Sequence, residues 1–244
     1  ELCFSIEEDS TYTVYVMRRE EGGWSIPEVA SFSKQHSNVD ISISPDGTRL
    51  FFGSKRPLPG EATRSKGFTI WSSTRTESGW SQPQDLGPMV NAGEHQVYPT
   101  VTKDLTLYFQ SRREGTLGGS DIFRAAYVDG AYARPENVGP AINTEHDEGD
   151  VFVAPDESFL IVAASGRSDG FGESDLYISF RQPDGSWTPA KNMGAAINSK
   201  GTDYCPMLSP DGRFLFYTST REGHGNIYWV DAAVIEQLRE RTIP

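Results

Sequence analysis

One segment returns four times along this chain: a turn of the type Ser-Pro-Asp-Gly, then an aromatic strand closing on Ser-x-Arg. It reads Ser44-Pro45-Asp46-Gly47 with Ser54-Lys55-Arg56, Thr102-Lys103-Asp104 with Ser111-Arg112-Arg113, Ala154-Pro155-Asp156 with Ser165-Gly166-Arg167, and Ser209-Pro210-Asp211-Gly212 with Ser219-Thr220-Arg221. The four aspartates lie 58, 52 and 55 residues apart. Self-similarity at such a period marks a repeat architecture, in which one unit cannot bury its own apolar face and must stack on the next.

Further landmarks follow in fixed order. A short aromatic strand comes after each Ser-x-Arg, at Thr69-Ile70-Trp71, Asp121-Ile122-Phe123, Asp175-Leu176-Tyr177 and Asn226-Ile227-Tyr228. A Gly-aromatic turn then enters a fourth strand at Gly79-Trp80, Gly130-Ala131-Tyr132 and Gly185-Ser186-Trp187. Short β-branched and aromatic runs bounded by Gly, Pro, Asn and Asp read as strands joined by tight turns. Four strands per period predict a propeller blade, so the expected fold is all-β: a five-bladed β-propeller of four-stranded antiparallel blades, as a single domain.

The repeat units fall at about 1–36, 37–93, 94–146, 147–201 and 202–231, with a C-terminal helix over 232–241 capped by Asp231. Glu1-Leu2-Cys3-Phe4 aligns with Arg49-Leu50-Phe51-Phe52, so the first unit starts at a second strand, while the last unit ends after its third. The strand count is therefore three, four, four, four and three. An uncovered sheet edge invites pairing, which leads to the expectation that an upstream segment completes the ring.

The Ser-Pro-Asp-Gly turn, the aromatic strand with Ser-x-Arg and the Asp-Ile-Tyr-like third strand together resemble the TolB-type, or WD-like, β-propeller repeat, over Glu1 to about Val230. The resemblance implies a bacterial protein that is periplasmic or extracellular. Function does not follow from it, because propellers host enzymes, adaptors and ligand-binding proteins alike. The chain departs from the repeat at Asp104-Leu105 and Asp156-Glu157, where the turn glycine is lost, and at Glu7-Glu8, where Ser-x-Arg is absent.

A net charge of −12 argues against nucleic acid and anionic membranes as partners, since both reward concentrated Lys and Arg. No run approaches the roughly 18 apolar residues of a membrane span, so membrane insertion is not expected. Cys3 and Cys205 sit at strand positions in the first and last units; a free-thiol pair is favoured, with a disulfide as the alternative.

In an antiparallel meander the Ser-x-Arg ends, the Gly-rich loops after them and the linkers entering first strands share one face. All four histidines fall there: His36, His95 and His146 in linkers, His224 in a loop. The acidic residues Glu94, Glu145, Asp147, Glu148, Asp150 and Asp203 surround them. Imidazoles and carboxylates converging near an axis make a divalent metal a candidate cofactor, with His36, His95 and His146 as candidate ligands, although no local ligand spacing supports it. The bland reading is polar, solvated linkers.

Arg56, Arg113, Arg167 and Arg221 recur at one register and are read as structural clamps between blades, with ligand contact as the alternative. The inner-strand residues Asp40, Tyr98, Glu148, Asp150 and Asp203 vary between blades, and Phe171 tips the longest Gly-rich loop; these are the ligand-binding candidates. No nucleophile elbow, phosphate loop or Cys-x-x-Cys cluster is present. The favoured function is a binding module for a glycan or a protein partner. The alternative is a carbohydrate-active enzyme, a glycoside hydrolase or metal-dependent polysaccharide lyase using His and carboxylates, with a carboxylate pair such as Glu148 and Asp150 as acid and base. Oligomeric state is left open.

Overall fold

The computed structural model describes residues 1–33, 35–61, 67–77, 79–93 and 95–240. Five antiparallel sheets follow one another along the chain as the blades of a β-propeller. The first pairs Leu2–Glu8, Thr11–Met17 and Glu28–Val29 in that order. The second runs Asn38–Ile43, Arg49–Ser54, Thr69–Thr76, Gln84–Asp85, and the third Gln96–Val101, Leu107–Ser111, Asp121–Ala125, Glu136–Asn137. The fourth runs Glu148–Val153, Phe159–Ser165, Ser174–Phe180, Lys191–Asn192; the fifth stops at three strands, Asp203–Leu208, Phe214–Ser219 and Asn226–Asp231. The three-four-four-four-three count expected from the sequence is the one observed.

The turns explain the repeat signature. Gly47 and Gly212 close their turns on Ser44 and Ser209 carbonyls at 2.8 Å, in left-handed backbone with φ of 72°. Ser44 and Ser209 hydroxyls donate to the turn aspartates Asp46 and Asp211. Where glycine is lost, the conformation is kept: Leu105 has φ 64° and Glu157 φ 57°. The Gly-aromatic segments do not start the outer strands. They fold back as short ribbons on the end of the third strand or the residues just after it, Arg75 pairing Trp80 and Tyr127 pairing Tyr132.

The chain divides into two compact units, one of Glu1–Leu107 with Ala125–Pro135, the other of Tyr108–Arg124 with the chain from Glu136 onward. In the first, Val14 and Val16 of blade one share a core with Leu50, Phe52, Trp71 and Trp80 of blade two. In the second, blade four is apolar on both faces. Leu160, Val162 and Ala164 pack with Tyr108 and Ile122 of blade three, whereas Phe159, Ile161 and Ala163 pack with Leu215 and Tyr217 of blade five. Alternate side chains of one strand point to opposite faces, so a strand covered on both sides reads as an unbroken apolar run. Second-strand aromatics fill these cores: Phe51, Phe52, Tyr108, Phe109 and Tyr217 are all buried.

A helix over Ala233–Glu240 ends the described chain, with Asp231 Oδ1 accepting from Ala233 N at 2.8 Å and Ile235 and Leu238 buried against the blade-four core. Position 241, where the sequence ends this helix, lies outside the described residues.

Candidate functional site

Each complete inner strand carries one residue in left-handed backbone at its third position. These are Asp40 (φ 55°), Tyr98 (φ 52°), Asp150 (φ 44°) and Cys205 (φ 50°). In blades two, four and five the pairing register slips at that point, between Val39 and Ser42, Gly149 and Phe152, and Tyr204 and Met207. These are β-bulges, which bend a strand and re-aim a side chain. The same bond is made inside each unit. Asp40 Oδ2 accepts from Tyr98 N at 3.3 Å, and Asp150 Oδ2 accepts from Cys205 N at 2.9 Å, with the Cys205 thiol 3.4 Å from that oxygen. The bulge carboxylate of one blade thus holds the bulge backbone of the next. Cys205 escaped notice as a site residue; counting three residues into each inner strand would have found it.

Two positions earlier, the first residue of the inner strand faces the recurring arginine in blades two, four and five. Arg56 donates to Asn38 Oδ1, the Phe32 carbonyl and Ser54 Oγ. Arg167 donates to Glu148 Oε1 at 2.9 Å and to the Ile142 carbonyl; Arg221 donates to Asp203 Oδ1 at 3.4 Å, the Ile197 carbonyl and Ser219 Oγ. Glu148 and Asp203 are fully buried. Each also caps its own linker, Glu148 accepting from Thr144 N and Oγ1, Asp203 from Ser199 N and Oγ. Arg113 donates from Nε to Ser111 Oγ and stacks over Phe109 and Phe123. Burial alone pushes the Arg56 and Arg113 guanidinium groups down to about 10.

Blade four breaks the register that Ser-x-Arg suggests. Asn38 pairs with Ser54 and Asp203 with Ser219, but Glu148 pairs with Ala164, so Ser165 stands one residue late. Arg167 still reaches its carbonyl and carboxylate, while its buried Nε has no acceptor among the described residues.

Each histidine makes local contacts of its own. His95 Nδ1 accepts from Phe68 N at 3.4 Å and its ring meets Phe68 edge-on. His36 offers its carbonyl to Asn38 Nδ2, and His146 Nε2 lies 3.9 Å from Glu145. His224 Nε2 lies 3.2 Å from Asn226 Nδ2. Among the described residues no three His, Cys, Asp or Glu side chains gather in a group that could hold a metal ion; Glu94 lies outside them. Phe171 is half-exposed, and its loop is pinned by the Phe171 N to Asp175 Oδ2 bond. A side chain at Gly172 would run into the Ser199 and Gly201 carbonyls, so this glycine serves close loop-to-linker packing. Neither Cys3 nor Cys205 is in a disulfide.

No family model matches the chain, and no curated protein matches it. Solved structures do. The TolB of Acinetobacter baumannii superimposes with a TM-score of 0.58 at 16% identity, over 94% of this chain and 48% of that one. This chain therefore spans about half of that TolB. A TolB-assigned protein of Agrobacterium tumefaciens gives 0.59 at 15% identity over 90% and 72% of the two chains. A glycoside hydrolase gives 0.60 at 12% identity over 91% and 78%. Among the described residues no helix is long and apolar enough to cross a membrane. The chain has the fold of a five-bladed, TolB-like β-propeller.

Proposed function

We propose that this protein is an extracytoplasmic binding module for a glycan or a protein partner, contacted through inner-strand bulge residues, Asp40 and Tyr98 in one unit and Asp150 and Cys205 in the other. What carries the reading is a left-handed backbone recurring at one register in four strands while its side chain changes from Asp to Tyr to Asp to Cys. Each such non-glycine residue costs about 1–3 kcal/mol, and such strain concentrates at functional sites. A structural position behaves differently. Asn91, Asn143 and Asn198 recur unchanged, each bracing a third strand through the same pair of backbone bonds.

Likeness to TolB and glycosidase structures supports the fold and is compatible with either ligand class and with an extracytoplasmic setting. Binding without turnover is favoured over glycan hydrolysis because Glu148 is enclosed and held by Arg167 and Thr144, which leaves it poorly placed to move a proton. The test is a glycan array and a peptide library screened with the parent and with a variant carrying Asp40→Asn, Tyr98→Phe and Asp150→Asn. The amides keep the backbone acceptors, so the variant should fold and lose the parent's hits. Hits retained in full, or turnover of a bound glycan, contradict the reading.

A further inference from the structure

Two clefts of the same construction lie at the Gly-Trp ribbons, one in each unit. In the first, the guanidinium of Arg75 lies 4.1 Å over the Trp80 ring and donates to the carboxylate of Glu1 at 2.6 Å. Glu1, Glu28 and Trp80 line a cleft of about 230 Å³. In the second, Arg181 occupies the equivalent place, six residues beyond Asp175 as Arg75 is beyond Thr69, and pairs with Trp187 as Arg75 pairs with Trp80. Its guanidinium lies 4.9 Å over Trp187 and lines a larger cleft, of about 390 Å³, with Arg124, Asn137 and Pro140.

The difference is the carboxylate. No described side chain makes a hydrogen bond or ion pair with the Arg181 guanidinium. Asp184 feels its charge but uses its carboxylate on Ser186 N and Oγ, the larger cause of its lowered pKa. Arg124 is paired with Glu157. An arginine stacked on an indole keeps its edge N–H groups in a fixed plane, suited to a bidentate carboxylate.

The geometry points to the Arg181–Trp187 cleft as a binding site for a glutamate or aspartate side chain of a partner polypeptide, in the manner in which Glu1 takes the Arg75 guanidinium stacked on Trp80. This site is independent of the bulge residues. The occupant is a polypeptide carboxylate because, among the described residues, the carboxylate paired with a Trp-stacked arginine is that of a glutamate entering a strand, and because Pro140 and Ala141 give the stem an apolar wall.

The test is a nuclear magnetic resonance titration of the whole chain, read at the Trp187 indole N–H and the Arg181 Nε–H. The probes are acetyl-Gly-Glu-Gly-amide, its Gln counterpart and galacturonate. Expected are saturable shifts with the Glu peptide, at least about tenfold weaker binding of the Gln peptide, and loss of binding in Arg181→Met. In Glu1→Ala, the Glu peptide should also shift the Trp80 indole, as the Arg75 guanidinium loses its own carboxylate. Equal binding of Glu and Gln peptides, no shift with either, or unchanged binding by Arg181→Met overturns the proposal. Galacturonate binding more tightly than the Glu peptide overturns the polypeptide assignment in favour of an acidic sugar.

Discussion

Tyr108 donates its phenolic proton to Glu157 Oε1 at 2.7 Å, tying the second strand of blade three to the turn of blade four. Arg124 Nε joins them, 2.9 Å from the same carboxylate oxygen and 3.2 Å from the phenol. Burial, and then the bond to Glu157, push the Tyr108 phenol well above its ordinary range. This tie explains why Glu157 occupies a left-handed position that glycine fills in two other turns. Replacing it by Gly relieves backbone strain but strips a buried phenol and a guanidinium of their acceptor. A net loss of about 1–2 kcal/mol is expected from urea unfolding. Leu105→Gly, with the same backbone and no such tie among the described residues, should be neutral or stabilise by up to about 1 kcal/mol; equal losses in both variants would contradict the tie.

The arginine clamps differ in burial, and their variants should rank accordingly. The Arg167 side chain is 10% exposed over a fully buried Glu148, whereas Arg221 is 28% exposed over Asp203. Arg167→Ala leaves a buried carboxylate without its cation and should cost about 3 kcal/mol. Arg221→Ala should cost less, and Arg167→Lys should not restore stability, because an ammonium cannot serve carbonyl and carboxylate in one plane. Thermal melts check the order.

Acid should act partly through the turns. The Ser44 hydroxyl above all holds Asp46 below its ordinary carboxylate value, as the Thr102 hydroxyl does Asp104. A depressed folded-state value means stability present above the ordinary carboxylate pKa and lost as pH falls through the folded one. Between about pH 5 and pH 2 the Asp104→Asn protein should therefore lose less stability than the parent. Parallel acid curves would remove Asp104 from the explanation.

The thiols should react unequally. Burial raises the Cys3 thiol to about 11, so little thiolate forms near neutrality, while Cys205 is exposed. A limiting dose of iodoacetamide followed by peptide mapping should find Cys205 modified first. Equal labelling would contradict the placement of Cys3.

Most of the architecture was legible because each turn is a local event. The Ser-Pro-Asp-Gly hydroxyl and carboxylate bonds form within a few residues, so their spacing alone announces blades. Long-range choices were not. Ser165 mimics the Ser of its neighbours, yet a longer second strand shifts pairing to Ala164, which only the register reveals. Glu148 and Asp203 stood out as variable acids, and it is their pairing with Arg167 and Arg221 that separates them from Asp150, two residues along. Cys205 is hidden by its residue type, since nothing about a cysteine announces a bulge.

We propose a division of labour: the recurring arginines hold the blades, and the bulge residues, besides their blade-to-blade bonds, hold the ligand. Its most direct test pairs melting temperature with ligand affinity for Arg167→Ala and Asp150→Asn, using one ligand from the array or library screen. Expected is a lowered melting temperature with near-parental affinity for folded Arg167→Ala, and an unchanged melting temperature with at least about tenfold weaker binding for Asp150→Asn. The reverse pattern, affinity lost with Arg167 and stability lost with Asp150, would contradict it.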